Sequence, residues 1–186
     1  MKIKEFKNGI FALRTRRFGT VAEIMIQRIY QMHNSKTLAY DKKNKNKRIE
    51  IKFSTVMKKN EETINDSNVI EQCIKANLSN RIMRSKDINQ SSFDCNIQQI
   101  KCKEFDELYY GLFFADKIQI FKMSSKEVLK LKGYSNKQHR NNKDEGQFHI
   151  DKDSYKIHQK YLKKELTYEQ LFELLNKKTK APVQRK

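Results

Sequence analysis

Apolar residues recur with helical spacing in the segment 19–33, where they cover one broad face. Gln27 and Arg28 fall on the opposite face, and Glu23 falls at the margin of the apolar one. The pattern predicts a helix that packs on a core through Val21, Ala22, Ile24, Met25, Ile26, Ile29 and Tyr30.

The pattern changes to an alternation of apolar and polar residues in the segment 48–53. Alternate residues of a strand point to opposite faces, which here separates Ile49, Ile51 and Phe53 from Arg48, Glu50 and Lys52. A shorter run, 37–41, lies upstream, and the polar sequence KKNKNK separates the two runs. Two short runs around a polar loop predict an antiparallel hairpin.

The remaining pattern predicts a loop over 58–67, a helix over 67–83, strands over 95–103, 107–114 and 118–123, and an irregular polar segment over 134–153. Ser124 with Glu127, and Thr167 with Gln170, have the spacing of a capping box, and the second pair opens a final helix at about 168–177. We expect an α/β (α+β) fold: a single domain with a mixed central β-sheet flanked by helices.

Composition adds a formal net charge of +18 and a pI near 9.8. So much uncompensated positive charge points to a polyanionic partner such as nucleic acid. The alternative is a solubilising coat of lysines, which accounts for scattered lysines more easily than for a net excess of this size.

Cysteine usage and apolar runs bear on the compartment. Cys73, Cys95 and Cys102 are odd in number and lack CxxC spacing, which disfavours a disulfide framework or a zinc site. No run approaches the ~18 apolar residues of a membrane span, and the basic amino terminus lacks a signal peptide's apolar core. We therefore expect a cytoplasmic protein with no membrane partner.

The candidate chemistry lies in the pattern Asp41-x8-Glu50-Ile51-Lys52. A hairpin brings Asp41 beside Glu50, and the strand period places Lys52 on the same face as Glu50. Mg²⁺ is bound through one or two carboxylates, and an ammonium group beside it can orient water and offset phosphate charge. The alternative is an ordinary surface ion pair, since the tripeptide Glu5-Phe6-Lys7 shows how readily this chain yields Glu-x-Lys.

The helix-then-hairpin sequence FGTVAEIMIQRIY…TLAYDKKNKNKRIEIKFS resembles the catalytic core of the PD-(D/E)xK nuclease superfamily, most closely type II restriction endonucleases. The resemblance implies that Asp41 and Glu50 bind Mg²⁺, that Lys52 is the catalytic lysine, and that Glu23 is an auxiliary metal ligand. It extends to IQQIKCKEFDELYYGLFFADKIQIFKMSSKEV, where it implies that Gln98 or Gln99 neighbours the site. Tyr40, in place of proline, precedes Asp41.

The loop sequence SNKQHRNNKDEGQFHI, residues 135–150, mixes side chains that can bond base edges in the major groove. Its DNA-binding candidates are Asn136, Lys137, Gln138, His139, Arg140 and Asn141. A plain polar loop is the alternative, because asparagine-rich loops are common. Tyr109, Tyr110, Phe113 and Phe114 alternate as strand residues, which favours core packing over base stacking.

We expect residues 1–186 to form a single nuclease domain, with its core at about 18–128, a DNA-reading loop at about 135–150 and a basic tail at 178–186. The expected function is that of a type II restriction endonuclease: a homodimer that cuts both strands of double-stranded DNA at a short palindromic site with Mg²⁺, beside a possible companion methyltransferase. A junction resolvase or repair nuclease, and a non-catalytic nucleic-acid binder, remain as alternatives.

Overall fold

A six-stranded mixed sheet forms the centre of the computed structural model, which describes residues 2–60, 62–137 and 144–177. The strands are β1 (His33–Asn34), β2 (Lys42–Asn44), β3 (Lys47–Thr55), β4 (Asp94–Ile100), β5 (Glu107–Phe113), β6 (Ile118–Ser124), β7 (Gly146–Asp151) and β8 (Leu162–Leu166). The large sheet has the order β1-β2-β3-β5-β6-β8, with β3 and β5 parallel and the other neighbours antiparallel. The prediction of a mixed central sheet is confirmed.

Helices flank the large sheet. The helices are α1 (Lys2–Ala12), α2 (Thr15–Tyr30), α3 (Val69–Lys75), α4 (Leu78–Arg81), α5 (Ser125–Leu129), α6 (Tyr155–Gln159) and α7 (Tyr168–Asn176), with a 3₁₀ turn at Ser85–Asp87. Helices α1, α2 and α7 share a core with Ile49, Ile51, Tyr109 and Phe113 of the sheet. Apolar side chains of α2 and of alternate sheet positions therefore meet, as predicted for Ala22, Met25 and Ile26, whereas the prediction was wrong for Ile24, which is 37% exposed.

The opposite face of the large sheet is covered by a second sheet, in which β4 and β7 pair antiparallel. Leu108, Tyr110 and Leu112 of β5 belong to this second core, together with Ile97 and Phe148 of the small sheet. Strand β5 is thus buried on both faces, and its aromatic residues are core residues, as expected.

The hairpin of the site differs from the sequence prediction. Residues 37–41 do not form a strand, and Leu38 is fully exposed. The predicted polar loop instead contains β2 and the turn itself, since Lys42 pairs with Ile49 and Asn44 with Lys47. Lys45 has φ 51° in this two-residue turn, a left-handed conformation that tight hairpin turns require.

Two other elements also differ from the sequence prediction. The single helix expected over 67–83 is divided into α3 and α4, and β7 occupies part of the segment expected to be irregular. The loop before α3, the β5–β6 hairpin and both capping boxes are confirmed. None of the helices in the described ranges has the length and apolar character needed to span a bilayer.

Candidate active site

Asp41 precedes β2 and contacts β3 on both sides of Glu50. Its backbone amide donates a hydrogen bond to the Ile49 carbonyl (3.0 Å), and its Oδ2 accepts one from the Ile51 amide (2.8 Å). These bonds hold Asp41 at the edge of β3. Because its carboxylate charge is close enough to raise the pKa of Glu50, the two acids act electrostatically as a pair.

Glu50 and Lys52 point to the face of the sheet that bears β4 and β7. Glu50 is paired in register with Leu108, and Lys52 with Tyr110, and both of these partners belong to the core on that side. Lys52 Nζ lies 2.5 Å from Glu50 Oε1. Strand alternation places Ile49 and Ile51 on the helix side of the sheet. It therefore brings the carboxyl of Glu50 and the ammonium group of Lys52 together on the other side.

Burial sets the ionisation of Glu50. Its side chain is 10% exposed, and loss of hydration raises its pKa to about 7 even though the Lys52 charge opposes the shift. The charges of Asp41 and Glu104 add to the rise. The Glu50 carboxyl is consequently part protonated near neutral pH, and a nearby cation would favour its ionised form.

Lys52 remains charged in this setting. Burial lowers its pKa, but the surrounding acids, Glu50 first and then Asp41, more than compensate, so that the net shift is upward. Its side chain is 24% exposed, which leaves part of the ammonium group's surroundings open to solvent.

Glu23 contacts a different partner from the one expected of a metal ligand. Its Oε2 lies 3.4 Å from Lys42 Nζ, and Lys42 also donates to Asn34 Oδ1 (3.0 Å). Lys42 is paired in register with Ile49, so its side chain points to the helix side, opposite to Glu50. Glu23 adds to the field that raises the Lys52 pKa, but the structure does not join it to Glu50.

Asp41 and Glu50 are the candidate ligands of a magnesium ion. Within the described ranges no group of three or more His, Cys, Asp or Glu side chains converges as a metal site. Mg²⁺ needs fewer protein ligands, because water and substrate phosphates complete its shell. Asp41 Oδ2 and Glu50 Oε1 are the oxygens engaged in the contacts described above. Asp41 and Glu50 are the two residues that would hold such an ion.

Gln98 and Gln99 lie in β4, which pairs with β7 in the second sheet and packs against β3 of the large one. They form an irregularity between Ile97 and Ile100, where Gln99 has φ 58°. Both side chains are exposed. Their proximity to the reacting groups stays a prediction.

The candidate DNA-reading loop is described only at its ends. Asn136 and Lys137 are exposed, and Ser135 pairs with Gln147 of β7. Gln138, His139, Arg140 and Asn141 lie outside the described residues, as does the basic tail from residue 178.

Two residues near the site were not anticipated. Lys42 is only 6% exposed, although the sequence analysis placed it in a polar loop. Its position next to Asp41 in the sequence was the one feature that could have indicated a place near the site. Glu104 influences Glu50 from the turn before β5, at a separation in sequence that no local pattern reveals.

No protein-family model, curated protein or solved structure matches this chain. The chemistry of the site is therefore inferred from its own residues.

Proposed function

We propose that this protein is a magnesium-dependent DNA endonuclease whose reacting groups are Asp41, Glu50 and Lys52. The observation that carries the proposal is the meeting of two carboxylates and an ammonium group at one edge of β3, with Lys52 Nζ 2.5 Å from Glu50 Oε1. A structural ion pair needs neither the second acid nor the burial that raises the Glu50 pKa.

Each residue has a separate role in phosphodiester hydrolysis. Asp41, fixed by the Ile51 amide, and Glu50 would hold Mg²⁺, with Glu50 releasing its proton when the cation binds. When bound, the ion offsets charge on the pentavalent phosphorus and makes water more acidic. Lys52 orients the attacking water and donates hydrogen bonds to the phosphate oxygens.

The charge of the chain supports a nucleic-acid substrate. The net charge of +18 favours a nucleic-acid backbone, and Lys43, Lys45 and Lys47 are exposed on the hairpin that carries the site. We further propose the more specific activity of a cytoplasmic type II restriction endonuclease, a homodimer that cuts both strands of a short palindromic sequence. Two-fold symmetry in the protein matches two-fold symmetry in such a site.

Cleavage of plasmid and phage DNA tests the proposal. We expect Mg²⁺-dependent cutting, and we expect Asp41→Asn, Glu50→Gln and Lys52→Ala each to reduce its rate by about 10²-fold or more, since groups that act as a unit are each required. Glu107→Gln is the matched control, because Glu107 forms a 2.8 Å ion pair with Lys122 on the neighbouring strands. Equal cutting by all four variants would refute the site.

The products separate the candidate activities. Discrete fragments from linear DNA support a restriction enzyme, whereas preferred cleavage of four-way junctions supports a structure-specific nuclease. DNA binding with no metal-dependent cleavage under any condition would leave only a basic nucleic-acid-binding protein.

A further inference from the structure

The turn 101–104, which connects β4 to β5, lies against the start of β3. Arg48 Nη1 donates a hydrogen bond to the Lys103 carbonyl (3.1 Å), and Arg48 Nη2 forms a 3.1 Å ion pair with Asp106, just after the turn. Arg48 precedes Glu50 by two residues in β3, so the two side chains lie on the same face of the strand. The turn is therefore next to the candidate active site.

The chain on both sides of the candidate DNA-reading residues is fixed beside this turn. Ser135 and Gln147 exchange two backbone hydrogen bonds, of 2.9 and 2.8 Å. Cys102 Sγ, in the turn, donates to the Tyr134 hydroxyl (3.7 Å). A Cβ at Gly146 would collide with the Tyr134 side chain, so the glycine allows β7 to approach this tyrosine closely. The segment that leads into β7 is thus held close to the turn.

Two carboxylates that precede β7 contact the two lysines of the turn. Glu145 Oε1 lies 3.5 Å from Lys101 Nζ, and Asp144 Oδ1 lies 3.7 Å from Lys103 Nζ. Asp144 has φ 68°, a left-handed conformation that aspartate and asparagine adopt more readily than most residues. The side chain of Lys101 is 43% exposed and that of Lys103 is 88% exposed. Both ammonium groups can therefore be reached by a molecule in solution.

These ion pairs are of a kind that exchanges readily. Exposed ion pairs contribute little to stability, because the charges keep much of their hydration when they meet. A phosphate oxygen accepts charge-assisted hydrogen bonds from an ammonium group as a carboxylate oxygen does. Binding of a nucleic acid also releases its counterions, a gain that a carboxylate of the same chain does not provide. A phosphate backbone can therefore replace Asp144 and Glu145 as the partner of the two lysines.

The surface next to the turn carries the same positive charge. Lys45 and Lys47 are exposed on the hairpin that leads into β3, and Lys47 is adjacent to Arg48, which contacts the turn. Each strand of a DNA duplex carries one phosphate about every 3.4 Å along the helix axis. The phosphates that adjoin the one being cut at Glu50 consequently need cationic partners close by, and the turn supplies two.

From these contacts we infer that Lys101 and Lys103 bind DNA phosphates beside the scissile bond, and that Asp144 and Glu145 occupy the same lysines in the free protein in place of phosphate. The inference rests on the proposed nuclease function, which places the scissile phosphate at Glu50. The two acids compete with the substrate backbone at this turn and weaken the binding of any duplex. Their effect on DNA binding depends on the two lysines.

A double-mutant cycle tests this dependence, with affinity for a non-specific duplex measured by fluorescence anisotropy in EDTA. Lys101→Ala with Lys103→Ala is expected to weaken binding about tenfold and to reduce the salt slope by about two, one for each lost phosphate contact. Asp144→Asn with Glu145→Gln is expected to strengthen binding about three- to tenfold, as for the release of two exposed ion pairs. In the variant that lacks both lysines, the same two acid substitutions are expected to change affinity by less than about twofold.

Glu165 and Lys117 provide the matched control, because they form a 2.9 Å ion pair at the β8 edge of the large sheet. Glu165→Gln is expected to change the affinity for DNA equally with and without Lys117→Ala. Circular dichroism melts establish that each variant is folded.

Two results would overturn the inference. One is a gain from Asp144→Asn with Glu145→Gln that persists undiminished without Lys101 and Lys103, which would show that the acids only repel DNA. The other is a wild-type protein that does not bind duplex DNA. Because EDTA removes the metal, these measurements do not involve cleavage. A protein that follows the cycle but never cuts DNA fails only the nuclease proposal, and one that cuts without following it fails only this inference.

Discussion

Glu50 is a buried acid whose ionisation lowers the stability of the fold. Its pKa is raised to about 7 from an ordinary value of 4.5, chiefly by burial. Below pH 4.5 the carboxyl is protonated in both the folded and the unfolded chain. Between pH 4.5 and 7 the carboxyl loses its proton in the unfolded chain but keeps it in the folded chain. The free energy of unfolding therefore falls as pH rises through this range.

This loss of stability with rising pH should be absent in Glu50→Gln, whose side chain cannot ionise. Relative to wild type, the variant should gain free energy of unfolding between pH 5 and pH 8, by up to about 3 kcal/mol since one pKa unit corresponds to about 1.4 kcal/mol. Urea denaturation in metal-free buffer measures both proteins at each pH. The other titrating groups are present in both proteins and cancel in the comparison. A difference in free energy of unfolding that stays constant with pH would therefore contradict the raised pKa of Glu50.

Glu23 offers a second test at the same scale. Because it contacts Lys42 on the helix side of the sheet, Glu23→Gln should lower the free energy of unfolding by about 1–3 kcal/mol, since the buried Lys42 ammonium loses the negative charge of its ion-pair partner. The Mg²⁺ concentration at half-maximal cleavage should be unchanged. A several-fold increase in that concentration would instead make Glu23 a metal ligand, as the resemblance to PD-(D/E)xK nucleases implies.

At the scale of elements, the site strand was predictable because its alternation is strict. Ile49 and Ile51 are buried on one side while Glu50 and Lys52 meet on the other. The first strand of the hairpin was misplaced because a lysine-rich stretch is usually a loop, whereas β2 buries Lys42 by giving it Glu23 and Asn34 as partners. Polarity alone cannot reveal partners that come from elsewhere in the chain.

Helix α3 shows the limit of what helical spacing predicts. Val69, Ile70 and Ile74 have the spacing of an apolar helix face, yet these residues are exposed and Gln72 is buried. Periodicity identifies the face that is chemically distinct. It does not identify whether the protein's own core or another molecule covers that face.

Two glycines provide a matched test of element packing. A Cβ at Gly111 of β5 would collide with the Gln119 carbonyl oxygen and the Phe53 ring, whereas Gly19 of α2 has open space around it. We expect Gly111→Ala to lower the free energy of unfolding by about 1–3 kcal/mol or more, and Gly19→Ala to raise it by about 0.5–1 kcal/mol. Urea denaturation measures the free energy of unfolding of both variants. An unchanged value for Gly111→Ala would show that β5 and β6 can move apart without a loss of stability.

At the scale of the whole molecule, the charge of +18 gives a prediction independent of the site. If the protein contacts 6–10 phosphates, its affinity for non-specific duplex DNA should fall by about 10³-fold or more between 50 and 200 mM salt. Fluorescence anisotropy in EDTA measures this without cleavage. A change smaller than about tenfold would favour a lysine coat that serves solubility alone.

The parallel pairing of β3 with β5 also orders events during synthesis. Asp41, Glu50 and Lys52 lie within twelve consecutive residues, but Glu50 is buried by strands that begin at Asp94 and Glu107. A nascent chain therefore carries all three candidate residues while Glu50 is still hydrated, with the proton affinity of an ordinary glutamate. On this geometry, the raised pKa of Glu50 arises only after the later half of the chain has emerged from the ribosome and closed over β3.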